Sequence, residues 1–373
     1  VAASNTSDAP SGTEQTSLLI VGLVRGGAWA RDVVKTEDLV LAGICDVDGD
    51  RLQHTGDALD VPRERRFPSF RAALDVDADV VVIATPTPSH AELSLAALRA
   101  GHTVICEKPL VRSLEEARQL REQVKATGQR FMVGENYRFS DGMENLRRAI
   151  AAGLIGRPAY VDHEFRRAGS GARGGAGGRG AAAEPVDPDR SIPEMSVHHF
   201  DMWWYATGKR PTEIHAHPFT PPWAEGPRRF GYSMRAALED GTHVHYLTSR
   251  ALSRPQTTWP GNLVIVGEEG TLEWDGSGAA VTLIRELPTH NYRDQHLARG
   301  PVSYVSYESP RDTVGGPGSA HSSTMQMVRA LIAAQREGRP HPNDLEDNWV
   351  SFATAMAAVE SAQTGRPARV ATD

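Results

Sequence analysis

Residues 102–110 read HTVICEKPL, an apolar run that stops abruptly at a carboxylate, an ammonium and a ring, Glu107-Lys108-Pro109. A short apolar run ahead of such a break predicts a buried strand, and a lysine at the carboxyl end of a parallel strand stands where open α/β sheets bind ligands. The runs around it repeat the design. SLLIVG (17–22), LVLAGICD (39–46), DADVVVIATP (77–86) and RFMVGENYR (130–138) alternate with amphipathic stretches such as AELSLAALRAG (91–101) and SLEEARQLREQVKATG (113–128). Strands apolar on both faces with helices between them imply a parallel sheet covered on both sides. The reading is an α/β chain whose N-terminal doubly wound Rossmann domain spans 17–139.

From 140 to 373 the pattern changes. MENLRRAIAAGLIG (143–156) and PEMSVHHFDMWWYATG (193–208) read as helices, each closed by glycine. Between and after them lie strand candidates joined by tight turns, with Asp240-Gly241 and Glu269-Gly270 as hairpin signals. This predicts an α+β domain built on a large, mostly antiparallel open sheet, for substrate and oligomer contacts. Two amphipathic stretches, 323–340 and 347–367, close the chain as helices that pack back on the first domain. Residues 1–16 are polar, without periodicity, and predicted disordered. Residues 168–183, AGSGARGGAGGRGAAA, form a glycine-rich flexible loop.

With 373 residues, two cores are expected. The 40 Lys+Arg against 47 Asp+Glu leave a net charge of -7, which argues against nucleic acid or an anionic membrane as partner. No apolar run approaches the ~20 residues that cross a bilayer. The two cysteines, Cys45 and Cys106, form no C-x-x-C pair and read as packed, reduced thiols; with no leader pattern at the start, the expectation is a cytoplasmic protein.

Three places carry chemistry. Gly22-x-Val24-x-x-Gly27 keeps the first and third glycines of a dinucleotide turn, for the tight bend and for helix–strand packing. Val24 stands where backbone normally approaches the pyrophosphate, with Gly26 giving room and Arg25 charge. Asp46 ends the second strand, placed to accept from ribose hydroxyls and to repel a 2'-phosphate; no arginine follows until Arg51, which favours NAD over NADP. Thr85-Pro86 breaks the strand beside the pyrophosphate, Ser89 is a helix-cap candidate, and His90 heads the next helix. On a regular helix Glu194, His198 and Asp201 stand at i, i+4 and i+7, on one face. Imidazole titrates near neutrality and suits removal of a hydroxyl proton, a carboxylate beside it holds its tautomer, and Lys108 stabilises the developing alkoxide. Phe200, Trp203 and Trp204 read as core, and His199 as packing. His215/His217 and His243/His245 have a metal-like i, i+2 spacing without accompanying carboxylates, and read as sheet-surface histidines.

The order of these marks resembles the Gfo/Idh/MocA family, that of glucose-fructose oxidoreductase and inositol dehydrogenase, from Ser17 to the C-terminus. The marks are Thr85-Pro86 with His90, Glu107-Lys108-Pro109, Gly134-Glu135-Asn136-Tyr137-Arg138-Phe139, and the His198-to-Asp201 helix. The resemblance implies that Lys108 is the catalytic lysine, contacting cofactor and substrate, and that Glu194, His198 and Asp201 fill the family's D-x-x-x-H-x-x-D positions. The chain departs from the family at Val24, at Glu194 in place of aspartate, and at Ser196 where glycine is common.

The expectation is a hydride-transferring enzyme for a secondary alcohol or ketone of a sugar, cyclitol or sugar derivative. Its catalytic residues are Lys108, His198 and Glu194. Gly22, Val24, Arg25, Gly26, Gly27, Asp46, Thr85, Pro86, His90, Glu107, Lys108 and Asn136 bind NAD, NADP being possible. Lys108, Tyr137, Arg138, Glu194, His198 and Asp201 bind substrate, without metal, in a homodimer or homotetramer. Two other classes remain open: a lyase or hydrolase, either redox-neutral with transient NAD oxidation or metal-dependent through Glu194, His198 and Asp201, and a non-catalytic nucleotide sensor.

Overall fold

In the first half of the chain, short β-branched runs that bury both faces become strands, and the polar-faced stretches between them become helices. The computed structural model describes residues 15–167, 189–224, 229–251, 255–285, 302–305 and 320–373; the glycine-rich 168–183 segment and residues 1–14 lie outside that range. The elements in order are β1 (Thr16–Val21), α1 (Leu23–Val33), β2 (Leu39–Cys45), α2 (Gly49–Ala58), β3 (Arg66–Phe67), α3 (Phe70–Ala73), β4 (Val80–Ile83), α4 (His90–Arg99), β5 (Thr103–Cys106), α5 (Leu114–Thr127) and β6 (Phe131–Val133). They form a six-stranded sheet ordered β3-β2-β1-β4-β5-β6, with β1–β2, β1–β4, β2–β3 and β4–β5 all parallel. The chain order reverses between β1 and β4, and the carboxyl ends of those two strands therefore flank the switch point of the sheet.

Thr16 belongs to the sheet and not to the polar tail. It starts β1 opposite Leu39, and its amide donates to the Asp38 carbonyl at 2.9 Å.

The second half holds α6 (Asp141–Ala151), β7 (Pro158–Arg166), a π-helical turn (Ile192–Ser196), α7 (Val197–Thr207), β8 (Pro211–Phe219), β9 (Gly231–Leu238), β10 (His243–Ser249), β11 (Asn262–Gly267), β12 (Thr271–Trp274), β13 (Val281–Ile284), β14 (Val302–Val305), α8 (Ala320–Arg336), α9 (Leu345–Thr364) and β15 (Ala368–Arg369). Nine strands lie in the order β14-β13-β12-β11-β7-β10-β9-β8-β15. Every recorded pairing is antiparallel except β7 with β10. The Asp240-Gly241 and Glu269-Gly270 turns close the β9–β10 and β11–β12 hairpins.

One face of this sheet is buried with Phe200, Trp203 and residues of α6 and α9 in a single core. The other face is open, and in one register row it carries His215, Arg235, His245 and Asp162. It is a mixed surface, with Tyr160 and Leu247 as its exposed large hydrophobics.

By contact the chain divides into a unit of residues 1–107 and 122–131 and a unit of 108–121 and 132–373. Lys108 and the 132–139 segment thus fall with the second half of the chain. In that second unit Arg121 pairs with Glu346 of α9, and its guanidinium lies 4.6 Å from the centre of the Trp349 ring.

Candidate active site

In the first unit the turn from β1 into α1 is shaped by two glycines. Gly22 adopts φ 87°, and a Cβ there would meet the Ala84 carbonyl oxygen at 2.8 Å. Gly26, one helical turn on, would place a Cβ 2.7 Å from Ile20. The close-packing role expected of Gly27 therefore falls on Gly26, since a helix starting at Leu23 turns Gly26 toward β1; a Cβ at Gly27 meets only the tip of Arg31 at 3.7 Å. Val24 is 76% exposed, so its side chain takes no packed position at the turn.

Asp46 is buried at the end of β2, and its carboxylate accepts from the Leu23 amide at 2.7 Å, the Asp48 amide at 2.9 Å and Arg51 at 3.1 Å. A carboxylate is thus already seated on the first amide of α1, the place where dinucleotide folds seat phosphate. Arg51 also reaches Asp48 at 3.0 Å, so the acidic pair carries a cation that the sequence seemed to lack. Glu107 accepts from Arg25 at 3.0 Å and from the Trp29 indole at 2.8 Å, which fixes the end of β5 to α1. His90 is buried with Nε2 2.8 Å from the Thr85 carbonyl. Ser89 does not cap α4; its hydroxyl turns back to Thr85 Oγ1 and the Pro86 carbonyl, both at 2.8 Å. A tight glycine turn, an anion-seating helix start and a carboxylate at the second strand end fit a dinucleotide.

In the second unit the centre is His198. Its Nδ1 is paired with the Glu135 carboxylate, and both side chains are almost wholly buried, at 5% and 1% exposure. Tyr137 stacks on the imidazole with centroids 4.3 Å apart and planes 22° apart. The Lys108 ammonium donates to the Glu194 carbonyl at 2.6 Å. That carbonyl belongs to the π-helical turn that runs into α7, so Lys108 is tied to the start of the histidine helix.

Several of the expected site residues have partners that the sequence did not foretell. Glu194 lies in the π turn and its carboxylate pairs with Arg190; the carboxylate beside His198 is that of Glu135. Arg138 and Asp201, expected on substrate, are 2% and 1% exposed and bind each other, with Arg138 Nε 2.8 Å from Asp201 Oδ2. Arg138 also pairs with Asp347, which accepts from the Trp204 indole at 2.6 Å. Asn136, expected on the cofactor, donates to the Ser323 hydroxyl of α8 at 3.0 Å, a contact within the second unit. Glu194, His198 and Asp201 do not converge as metal ligands, and among the described residues no group of three His, Cys, Asp or Glu does. The sequence reading gave Glu135 no role; it follows β6 after one glycine, near a strand end as Glu107 is after β5, and that was the available signal.

Beneath His198 two more histidines are sealed in the core. The His163 Nε2–H donates to the Pro260 carbonyl at 2.7 Å, leaving Nδ1 to accept from the Trp203 indole at 2.9 Å. His199 is set likewise between the Trp259 carbonyl and the Tyr246 hydroxyl. Burial holds the His163 pKa down at about 4, the Pro260 carbonyl opposing weakly, and burial together with His163 pushes His199 well below its ordinary value. Both stay neutral when folded and take up protons when unfolded, so their stabilising contribution is lost as pH falls below 6.5, for His163 down toward about 4. Asp201 has the opposite slope. Burial raises it to about 6 despite Arg138, so its contribution is present below its ordinary 3.8 and lost as pH rises through about 6. The slopes overlap and oppose in the wild-type protein. His163→Gln removes one of them, and its stability relative to wild type should improve by about 1.4 kcal/mol for each pH unit lowered across that window. Denaturant unfolding at three pH values checks this, and a constant difference between the two proteins would refute it.

The switch-point turn and strand-end carboxylate of the first unit suit a dinucleotide, and the second unit carries the lysine and the histidine. Residues 17–135 match the family model described as "Oxidoreductase family, NAD-binding Rossmann fold", and 143–273 match "GFO/IDH/MocA C-terminal domain". The chain belongs to the Gfo/Idh/MocA oxidoreductase family. It is 30% identical to the myo-inositol 2-dehydrogenase of Thermotoga maritima over 202 residues, 53% of this chain and 56% of that protein; the match thus spans about half the length of that relative. Its fold is similar to that of an Agrobacterium radiobacter oxidoreductase solved with NAD+, L-tartaric acid and magnesium (TM-score 0.77, 20% identity, 95% of this chain and 98% of that one). It also resembles that of a Sinorhizobium meliloti protein described as a putative myo-inositol dehydrogenase (TM-score 0.73, 22% identity, 96% and 100% covered).

Proposed function

We propose that this protein is an NAD-dependent dehydrogenase or ketoreductase acting on a secondary alcohol or ketone of a sugar, cyclitol or sugar derivative. The observation that carries the reading is the His198 imidazole, held through Nδ1 by a buried carboxylate and clamped flat by Tyr137, with Lys108 fixed to the turn that leads into its helix. The Nδ1 partner leaves Nε2 with the lone pair, so His198 receives the hydroxyl proton of the alcohol or returns it to a ketone. The Lys108 ammonium offsets the negative charge that grows on that oxygen. The dinucleotide would be held by the Gly22 turn, the start of α1 with Arg25, Asp46 and the Thr85-Pro86 corner; when bound, it supplies the acceptor or donor of the carbinol hydride. Tyr137 remains in reach of substrate hydroxyls, whereas Arg138 and Asp201 act as a brace.

Mass spectrometry of nucleotide released from the purified protein, followed by NAD-linked assay on a panel of sugars and cyclitols, tests the reading; absence of both nucleotide and turnover would end it. The cofactor preference has its own test. NAD should bind more tightly than NADP, but with a margin narrowed by Arg51 between Asp46 and Asp48. Arg51→Ala should widen that margin by on the order of 1 kcal/mol, the scale of a surface charge pair, and Asp46→Ala should shrink it. Fluorescence titration of both nucleotides measures it, and a wider preference in Asp46→Ala would overturn the assignment.

Cys45 and Cys106 are buried and form no disulfide, which supports a reducing, cytoplasmic setting. No described helix is long and apolar enough to cross a membrane. The open face of the nine-stranded sheet is proposed as the contact of a homodimer or homotetramer, to be read by light scattering.

A further inference from the structure

We propose that Glu135, and not Glu194, is the carboxylate that sets the tautomer and the titration of His198; the inference rests on the function proposed above for His198. The sequence places Glu194 four residues before the histidine, the spacing at which a regular helix would bring them together. Glu194 lies in the π turn over Ile192–Ser196, and there Arg190 takes its carboxylate, both side chains being at least partly exposed. Glu135 arrives from another element. It follows β6, its amide bonded to the Val133 carbonyl at 2.8 Å, and its own carbonyl lies 3.4 Å from Asn343 Nδ2. The backbone that carries it is therefore fixed on both sides before the carboxylate meets the ring.

Negative charge around the pair favours a proton on the imidazole. Glu135, Asp201 and Asp347 bring three carboxylates to a buried cluster whose permanent cation is Arg138. Arg138 is paired with Asp201 and Asp347, and Glu135 is paired with Nδ1 of His198. His199, next along α7, is neutral and buried, while Lys108 and the Arg190–Glu194 pair lie at the turn before the helix. A buried carboxylate against one ring nitrogen favours the imidazolium and, in the neutral ring, the Nδ1–H form. Both effects point Nε2 to the chemistry. Glu135 is a positioning residue: it acts on substrate only through His198.

Nitrogen-15 spectra of the histidine rings test the idea, with the His198 signal identified by its absence in His198→Asn. In the wild-type protein the neutral His198 ring should be the Nδ1–H tautomer. Its pKa should drop by roughly 1–3 units in Glu135→Gln and stay in place in Glu194→Gln. The acid limb of the turnover–pH profile should move with it, while Glu135→Asp, which keeps the charge, should recover most of the wild-type titration. An Nε2–H tautomer in the wild type overturns the proposal without any variant, should Glu135→Gln fail to fold. An unchanged His198 titration in Glu135→Gln, or an equal shift in Glu194→Gln, overturns it too. The spectra need no substrate. A protein that turns over no sugar or cyclitol would therefore sink the functional reading while the dyad is judged on the ring signals alone.

Discussion

Lys108→Ala and His198→Ala should each lower turnover on the order of 10²-fold or more, because each removes a group that acts only as charge or proton moves in the transition state. Nucleotide binding should survive in His198→Ala and weaken only moderately in Lys108→Ala. The two variants also separate the proposed chemistry from a metal-dependent lyase. If a divalent ion did the work, a chelator would abolish activity and Lys108→Ala would matter little, since an ammonium beside a cation is unfavourable. The structure bears on that choice: Glu194 is paired with Arg190, and Asp201 with Arg138. Activity assayed on sugars and cyclitols with and without chelator decides it. Turnover that vanishes on chelation and returns with a divalent ion would overturn the dehydrogenase assignment.

How much of this was legible in the sequence differs by element. The parallel sheet was readable because its strands bury both faces, and continuous apolar runs such as VVVI at 80–83 admit little else. The hairpins at Asp240-Gly241 and Glu269-Gly270 were readable because their turns demand special residues. Lys108 and His198 were legible as chemistry-bearing types at strand and helix ends. Their partners were not. Glu194 was read at helical spacing from His198, but its carboxylate pairs with Arg190, and spacing alone cannot say which of two neighbours a partly exposed carboxylate takes. Arg138, Asp201 and Asp347 are polar residues from three separate segments, and their union is a tertiary fact that spacing along the chain cannot encode. Gly26 was misassigned for a smaller reason: the frame of the glycine turn is set by where the helix starts, and it starts at Leu23.

The Arg138 brace carries the second large expected effect, and on stability instead of chemistry. Arg138 is 2% exposed and serves two carboxylates, Asp201 from α7 and Asp347 from α9. Burial opposes its charge, and the two carboxylates outweigh that and hold its pKa above the ordinary value. Tyr205 lies under its guanidinium at 5.2 Å, and Ser351 donates to Asp201 at 2.9 Å, so the network is closed on several sides. Arg138→Leu keeps much of the volume but strands two carboxylates in the core. The expected cost is about 3–5 kcal/mol, the scale for breaking a buried pair on one side. Arg138→Lys should recover only part of it, because an ammonium lacks the planar fork that meets two carboxylates at once. Asp201→Asn should cost less than Arg138→Leu, since Arg138 keeps Asp347 and one buried charge departs. Urea unfolding of the three variants near neutral pH ranks them through midpoint and slope. The order matters more than the sizes: if Asp201→Asn proved the most damaging of the three, the cluster would be organised around the carboxylate and not around Arg138.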